Sequence, residues 1–291
     1  GLAYFLGIRA LGATAIRNGH GTLASHLEII KSIHPTVLVG VPSFLRRLGH
    51  FLNEHGFEAA QASVRKLVCI GEPVRGEDMK PLKLGGDLQS IWHAGVFSTY
   101  ASSECISTFC ECTAQRGGHL HPDLAVVEIL DEAHRPVAPG TPGEVVITPL
   151  AIQGMPLVRF KTGDISFLLE APCPCGRASP RLGPILGRKQ QMIKMRGTTL
   201  YPQAVFAALD EIPEIGEYYL EITASDGLSD NLILHLCAGM PHPVDWLREQ
   251  LQARLRVAPF IVIDPEEKVR QHIYTPESRK PVRVIDRRSM L

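Results

Sequence analysis

The sequence predicts an α/β protein in which parallel strands and crossover helices lead into a mostly antiparallel β region and then into a small α+β part. Three observations predict this arrangement. Helix-like and strand-like segments alternate through the first half, a turn rich in Pro and Gly at 136–143 separates two extended apolar segments, and the composition changes again after Gly187 and Arg188. With 291 residues, of which 45% are hydrophobic, the chain is long enough for a substantial core.

The first half contains two segments with apolar residues at helical spacing, 23–30 and 45–52. We expect Ser43 to cap the second of these helices, which should end at Gly56. Two short apolar runs predict parallel strands, namely 67–70 and 36–39, of which we expect 36–39 to be buried.

The second half predicts strands first and then a mixture of strands and helices. Antiparallel strands are expected at 124–130, 144–148, 155–160 and 165–169. In the small α+β part, helices are expected at 203–212 and 244–255, and strands at 218–223, 231–237, 260–263 and 282–285.

Charge and hydropathy argue against some partners. The formal net charge is +0 at pH 7, which is not expected of a protein whose main partner is nucleic acid or an anionic membrane. The apolar start of the chain is interrupted by Arg9, is too short to span a bilayer and lacks the pattern of a secretory signal, so we expect a cytoplasmic protein. Because the chain begins with Gly1 in the middle of a pattern, we expect it to be a piece of a longer protein.

The cysteines form a sharper pattern. There are seven, an odd number, and in a reducing compartment their clustering favours a metal over disulfides. Cys173-Pro174-Cys175 places two thiols on one tight turn, and with a Cys and a His from another hairpin they satisfy tetrahedral Zn²⁺ in a closed, structural site. The preferred ligands are Cys112, His119, Cys173 and Cys175, and the alternatives are Cys105, Cys110 and His121. The remaining interpretation is free thiols in loops.

A second set of polar residues follows the predicted strand 155–160. Thr162-Gly163-Asp164 reads as a turn that places a carboxylate and a hydroxyl at a strand end, where α/β proteins contact their ligands. Arg188 supplies a guanidinium, and a glycine turn follows at Gly197. Together these residues predict a site that faces phosphate or ribose. Taken singly, Asp164 fits an ordinary turn and Arg188 a surface ion pair.

Two more loops have the same character. Tyr100 is followed by small hydroxyl residues, including Ser103, and by Glu104, so that a ring can stack on a base while a carboxylate holds Mg²⁺ on a phosphate. The turn Gly71-Glu72-Pro73 follows a strand directly and would line a base or ribose. By itself, each is more often an ordinary loop.

In this order, the segments resemble the phenylacetate–CoA ligase family of the adenylate-forming superfamily. The resemblance runs over nearly the whole chain and rests on 71–73, 100–104, 159–164, 173–176, 187–202 and 279–286. It implies a two-step ligase that uses ATP, Mg²⁺ and coenzyme A. A small-molecule carboxylic acid, aryl or acyl, would attack the ATP α-phosphate to form an acyl-adenylate, and CoA would then displace AMP to form a thioester. It also implies a homodimer.

The resemblance assigns a role to each candidate residue. Lys280 would meet the charge that accumulates on the α-phosphate, and Glu104 would hold Mg²⁺. Asp164 would accept the ribose hydroxyls, Arg188 would contact ribose or phosphate, and Tyr100 would lie against the adenine. The remaining nucleotide-binding candidates are Gly71, Glu72, Pro73 and Ser103.

The resemblance also divides the chain. Residues 1–188 would be the remainder of a large AMP-binding domain, with a β subdomain at about 120–186, and residues 189–291 would be a small mobile domain. Such a domain needs a hinge, which falls at 189–191. The loop that ends at Gly197 would line the CoA tunnel.

The chain departs from the family pattern at three points. Gln190 stands where the family has a hinge Asp, and Arg279 stands where it has a Gly before the lysine. A Ser/Thr/Gly-rich phosphate loop is not found in residues 1–291, so we expect the chain by itself to bind ATP weakly.

These departures keep two alternatives open. One is an adenylating enzyme that transfers its product to a carrier-protein thiol or another acceptor. The other is a zinc-stabilised nucleotide- or ligand-binding relative that has lost ATP turnover. The sequence does not identify the acid, and the candidates for its pocket that fit a core equally well are Trp92, His93 and Phe97.

Overall fold

The computed structural model describes residues 2–19, 21–104, 107–150, 152–195, 197–213, 215–224, 229–274 and 281–288. The chain divides into two compact units, Gly1–Glu72 with Leu84–Phe97 and Pro73–Lys83 with Ser98–Leu291. The domain boundary at residue 188 therefore falls inside the second unit, and it stays a prediction. Among the described residues, no helix is both long and apolar enough to cross a membrane.

Helices and parallel strands alternate in the first unit, as the sequence predicts. Its helices are α1 (Leu2–Ala10), α2 (Leu23–Ile33), α3 (Pro42–Glu54) and most of α4 (Lys83–Trp92), and its strands are β1 (Val37–Gly40), β2 (Lys66–Ile70) and the first half of β3 (Gly95–Ala101). The apolar face of α3 is buried, and Trp92 is fully buried and donates its indole N–H to the Leu45 carbonyl at 3.1 Å. Trp92 is therefore a core residue.

β1 is more exposed than the sequence suggests. It pairs in parallel with β2, with Val37 opposite Lys66 and Val39 opposite Val68, as expected. However, the side chains of Val37 and Val39 are 44% and 37% exposed. The expectation of a buried strand is wrong because β1 is the outermost strand of its sheet in the part of the chain that the structure describes.

Ser43 does not cap α3, contrary to the prediction. The helix begins at Pro42, and the N-cap residue is Val41, which has no side-chain cap. Instead, the Ser43 backbone N–H and hydroxyl donate to the two carboxylate oxygens of Glu72, each at 2.9 Å. A distant carboxylate thus satisfies the first turn of the helix and complements its dipole.

The strands of the second unit that precede residue 189 are antiparallel, and those from residue 125 onward agree with the prediction. They are the second half of β3, β4 (Thr108–Cys110), β5 (Gly118–His119), β6 (Ala125–Leu130), β7 (Gly143–Pro149), β8 (Phe160–Ser166), β9 (Leu168–Leu169), β10 (Arg181–Leu182) and β11 (Gly187–Arg188). One sheet has the order β11-β8-β7-β6 and another the order β5-β10-β9, while β4 pairs with β3. The core between these strands contains Phe109, Ile129 and Ile147.

The strand predicted at 155–160 is wrong in position. β8 begins at Phe160, where the predicted strand should end, and Met155 and Val158 are 63% and 74% exposed. Pro156 lacks a backbone N–H for a ladder, and Arg159 has a φ of 50°, which turns the chain just before β8 begins.

The last part of the second unit is a sheet with helices on both faces. Its elements are β12 (Ile193–Met195), β13 (Thr198–Leu200), α5 (Pro202–Asp210), β14 (Tyr218–Ala224), β15 (Asp230–Cys237), α6 (Val244–Leu255), β16 (Phe260–Asp264), α7 (Glu266–Ile273) and β17 (Val284–Asp286). The sheet order is β16-β15-β14-β17, with α5 and α6 contributing to the core on one face and α7 to a smaller one with Tyr219. The sequence analysis missed α7, in which only Val269 and Ile273 are buried.

Candidate functional site

Three predicted nucleotide-binding residues meet at Asp164. The Tyr100 hydroxyl, on β3, donates to Asp164 Oδ2 at 2.8 Å. The Arg188 Nε lies 3.3 Å from Asp164 Oδ1, because β11 pairs with β8 and sets Arg188 directly opposite Asp164. The Arg188 side chain is 69% exposed, whereas that of Asp164 is only 13% exposed. The carboxylate is thus held from two sides and charge-balanced by a guanidinium that reaches solvent.

The local geometry of Asp164 comes from a bulge within β8. The register with β7 shifts between Glu144 and Val146, so that the Thr162–Asp164 segment lies opposite Val145 alone. The Thr162 hydroxyl donates to the Val145 carbonyl at 2.9 Å and accepts the Asp164 N–H at 3.1 Å. Gly163 has a φ of 75°, a conformation that favours glycine. The segment is therefore a bulge inside a strand and not the strand-ending turn that we predicted.

The other nucleotide-site candidates lie in loops. Ser103 and Glu104 occupy an exposed turn just after β3, and Gly197 is exposed in the turn between β12 and β13, with a φ of 79°. Gly71 and Glu72 lie at the end of the first segment of the first unit, and Pro73 begins the first segment of the second unit. The candidates that lie outside the described residues are Lys280, Arg279 and Cys105.

The structure brings together the four preferred metal ligands. One ligand atom from each of Cys112, His119, Cys173 and Cys175 lies within 4.8 Å of all the others. The Sγ atoms of Cys112 and Cys173 are 3.6 Å apart, and the Cys175 Sγ is 3.4 Å from His119 Nε2. Antiparallel pairing of β5 with β10, with His119 opposite Arg181, joins the two loops that supply these atoms.

The chemistry of these groups suits metal binding. Burial, followed by the charges of Arg177 and Arg181, lowers the pKa of His119, and this favours the neutral imidazole that binds metals. The backbone N–H of Cys175 donates to the Cys173 sulfur and holds the pKa of that thiol below its usual range, whereas burial raises the pKa of Cys112.

Two residues that the sequence analysis missed support the cluster. The hydroxyl of Ser179 lies 3.0 Å from His119 Nδ1, which leaves Nε2 to face the sulfurs. The buried guanidinium of Arg181 donates to the Arg116 carbonyl at 2.7 Å and to the Ala171 carbonyl at 2.6 Å, and so ties both ligand loops together. A cation there would also balance the net negative charge of three thiolates around a divalent metal. No spacing rule could have found either residue.

The alternative ligands that can be located lie apart from this cluster. Cys110 is half-buried and its sulfur accepts a hydrogen bond from the Thr99 hydroxyl at 3.1 Å. The His121 ring lies against Phe109, with the two ring centroids 6.5 Å apart. Within the described residues, the geometry therefore favours the preferred set of ligands over Cys110 and His121.

The arrangement of sheets and helices defines an adenylate-forming CoA ligase fold. The structure matches a solved 2-hydroxyisobutyryl-CoA ligase in its postadenylation state with a TM-score of 0.80 and 23% sequence identity, covering 98% of this chain and 62% of that chain. The fold class inferred from the resemblance is thus confirmed.

The family follows from the sequence. A profile described as AMP-binding enzyme matches residues 1–151, and the chain belongs to that family. It is 32% identical over 245 residues to a phenylacetate-coenzyme A ligase of Thermus thermophilus, covering 83% of this chain and 54% of the relative. A phenylacetate-coenzyme A ligase of Pseudomonas putida is 26% identical over 81% of this chain and 53% of its own length. The chain spans about half the length of the curated relatives it matches.

Proposed function

We propose that this chain is part of an ATP-dependent, AMP-forming acid–CoA ligase that activates an aryl or acyl carboxylate as an acyl-adenylate and transfers it to CoA. The observation that supports this most directly is Asp164, held between Tyr100 and Arg188 in the fold of the acyl-adenylate ligases. The names of two relatives support an aryl acid as the substrate, since the proteins that are 32% and 26% identical to this chain are phenylacetate-coenzyme A ligases.

Asp164 is suited to ribose recognition. A carboxylate has about four lone-pair positions, and the contacts from Tyr100 and Arg188 use one on each oxygen. Two ribose hydroxyls can therefore donate to Asp164 without displacing either neighbour. The Tyr100 ring, packed against Phe109 at a centroid distance of 6.3 Å, offers a rigid surface for the adenine.

Glu104 and Lys280 are proposed to act on the charges of the phosphates. Glu104 lies in an exposed turn a few residues after Tyr100, where a carboxylate can hold Mg²⁺ on the phosphates. Lys280 is proposed, from its position in the family motif, to neutralise the charge that develops on the α-phosphate. Residues 189–291 are proposed to rotate about a hinge at 189–191 between the two half-reactions, with Gly197 at the CoA tunnel.

We also propose a structural Zn²⁺ held by Cys112, His119, Cys173 and Cys175. A tetrahedral zinc with Zn–S bonds of about 2.3 Å requires about 3.8 Å between its sulfurs, and the Cys112–Cys173 distance is 3.6 Å. Because the four protein ligands leave no open position, the metal would stabilise the loops and take no part in the reaction. A cytoplasmic location, which suits the free thiols, and a homodimer stay predictions.

The function is tested with the whole ligase that contains this chain. Purified protein is given ATP, Mg²⁺ and a panel of aryl and short acyl acids, and pyrophosphate release and CoA thioester formation are followed separately. We expect at least one aryl acid to support both, and Lys280→Ala to reduce pyrophosphate release by orders of magnitude. Failure of every acid to release pyrophosphate from the folded protein would overturn the proposal. Thioester formation on a phosphopantetheinyl carrier, but not on CoA, would correct the acceptor.

A further inference from the structure

Arg288 uses every donor of its guanidinium group. This residue follows β17, and its Nε and Nη2 atoms lie 3.0 and 2.6 Å from the two carboxylate oxygens of Asp286. Its Nη1 donates to the Met192 carbonyl at 2.6 Å and to the Asp230 carboxylate at 3.0 Å, and Nη2 donates to the Gln190 carbonyl at 2.9 Å. An arginine has five N–H donors, and these contacts employ all of them.

The partners of Arg288 are themselves joined to the sheet. Asp286 belongs to β17 and Asp230 begins β15, so both carboxylates are fixed by the four-stranded sheet of the small α+β part. Asp230 also accepts the backbone N–H of Lys194 at 2.8 Å, which connects β12 to the same group. Residues 190–194 are therefore attached to the small α+β part through one guanidinium and one carboxylate, and through Ile193, which is buried in the core of that part.

The residues just before Gln190 are attached elsewhere. Lys189 Nζ lies 2.7 Å from the carboxylate of Glu144, which belongs to β7. The Glu144 side chain is only 7% exposed. Arg188 lies on β11, paired with β8 and in contact with Asp164. The two sets of contacts meet at the peptide bond between Lys189 and Gln190.

We propose that Arg288 is the positioning residue that fixes residues 190–192 to the small α+β part, so that rotation of that part is concentrated at Lys189 and Gln190. The inference rests on the proposed function, in which this part rotates between half-reactions. A lysine could not replace Arg288, because a single ammonium group lacks the planar, forked donors needed to bind two backbone carbonyls and two carboxylates together. The contact with residue 190 is made to its backbone carbonyl and therefore does not depend on the Gln190 side chain.

The direct test is hydrogen exchange on the full chain. In Arg288→Met, we expect the amides of residues 190–195 to exchange at least about tenfold faster, because two charge-assisted bonds to their carbonyls are lost and Asp230 is released. Amides of β8 and β14 should keep the exchange rates of the parent chain. In Arg288→Lys, the exchange rates of residues 190–195 should lie between those of the parent chain and those of Arg288→Met.

The matched control is Arg287→Met. Arg287 is the preceding residue, and its Nε lies 2.6 Å from a carboxylate oxygen of Glu221 on β14. This variant should leave the exchange of residues 190–195 unchanged. Unaltered exchange in Arg288→Met, or an equal acceleration throughout β8, β14 and the hinge, would overturn the proposal, since the second result describes general loosening.

A second measurement separates this inference from the proposed function. In the whole ligase, Arg288→Met should change the ratio of CoA thioester formation to pyrophosphate release at least about fivefold, while Arg287→Met keeps the parent ratio. Hydrogen exchange needs no catalysis. If no acid supports pyrophosphate release but hydrogen exchange responds as stated, Arg288 does fix residues 190–192 and the ligase proposal fails. If the ligase is active and the ratio of thioester formation to pyrophosphate release is unchanged, the proposed role of Arg288 in domain rotation is wrong.

Discussion

Tyr100 and Asp164 are 64 residues apart in the chain, yet the phenolic hydroxyl of Tyr100 donates a 2.8 Å hydrogen bond to Asp164 Oδ2. This bond joins the end of β3 to the bulge in β8, and therefore links the proposed adenine surface to the proposed ribose acceptor. The bond orients the carboxylate in the absence of a ligand, and this would lower the entropic cost of binding the proposed ribose.

Removal of this hydroxyl should weaken nucleotide binding modestly. In Tyr100→Phe, the ring remains and the charge-assisted hydrogen bond to the Asp164 carboxylate is lost, while the contact from Arg188 still orients that carboxylate. We expect the Kd for AMP in the whole ligase to rise by about two- to tenfold, as measured by calorimetry. Tyr100→Ala, which also removes the ring, should cost more. An unchanged Kd in Tyr100→Phe would contradict a role for the hydroxyl, and equal losses in the two variants would contradict a role for the ring.

Neutralising Asp164 should have a larger effect. Asp164→Asn replaces a charged acceptor by an amide, and hydrogen bonds to charged groups contribute about 1.5–3 kcal/mol. The KM for ATP should rise by about ten- to a hundredfold, with less change in the KM for the acid. Glu128→Gln is the control, because Glu128 is a carboxylate of nearby β6 that pairs with Arg159 at 3.1 Å. A similar rise in both variants would argue against ribose recognition by Asp164.

The metal proposal predicts a definite stoichiometry. Purified protein should contain about one Zn²⁺ per chain, and Cys173→Ser should lose it, because one of four ligands is replaced by a poor one. Elemental analysis provides the measurement. Cys110→Ser should retain the metal, because the sulfur of this neighbouring cysteine accepts a hydrogen bond from Thr99 and is not a proposed ligand. Full metal content in Cys173→Ser would contradict the proposed set of four ligands.

Ser179 should tune metal affinity without binding the metal. Its hydroxyl lies 3.0 Å from His119 Nδ1 and orients the imidazole, and loss of such outer partners typically weakens metal binding by about ten- to a hundredfold. Ser179→Ala should therefore release zinc to a chelator at correspondingly lower chelator concentrations. Ser179→Thr keeps the hydroxyl and should behave like the parent. An unchanged affinity in Ser179→Ala would mean that the hydroxyl does not position His119.

Asp264 should make stability depend on pH. Its carboxylate lies 2.7 Å from Lys268 Nζ and 2.7 Å from His235 Nδ1, and Lys268 foremost holds the pKa of Asp264 below its usual value of 3.8. A lowered folded-state pKa means that the stabilisation is present above pH 3.8 and is lost as pH falls through the lower folded value. Asp264→Asn should reduce the free energy of unfolding by about 1–3 kcal/mol at pH 7, as measured with denaturant.

The comparison at low pH completes this test. As pH falls below 3.8, the difference between Asp264→Asn and the parent should shrink, because the unfolded parent chain then binds a proton at Asp264 more readily than the folded chain does. Asp245→Asn is the control, since the Asp245 side chain is 88% exposed and pairs with Arg248 on the same helix. A difference that is the same at pH 7 and pH 3 would rule out a contribution from the Asp264 charge.

Most elements of the small α+β part were predictable, because each has its own periodicity. The helix at Val244–Leu255 agrees with the prediction, and β14 and β15 agree to within a residue at each end. The failures at β1 and β8 have a common origin, because exposure and register depend on the partner strand. Segment 155–160 has strand-like composition, yet pairing with β7 begins only at Phe160.

The sequence by itself determined the alternation of elements, through the periodicity of its apolar residues. The clustering of cysteines predicted Cys112, His119, Cys173 and Cys175 as ligands, and the family resemblance predicted Asp164 as the ribose acceptor. Only the tertiary structure decided that Asp164 lies on a bulge and is hydrogen-bonded to Tyr100, that Ser179 and Arg181 contact the loops of the proposed metal ligands, and that Arg288 reaches Gln190. The physical reason is distance along the chain. The contacts of Asp164, His119 and Arg288 mostly join segments dozens of residues apart, and their geometry is set by strand pairing that local pattern does not encode.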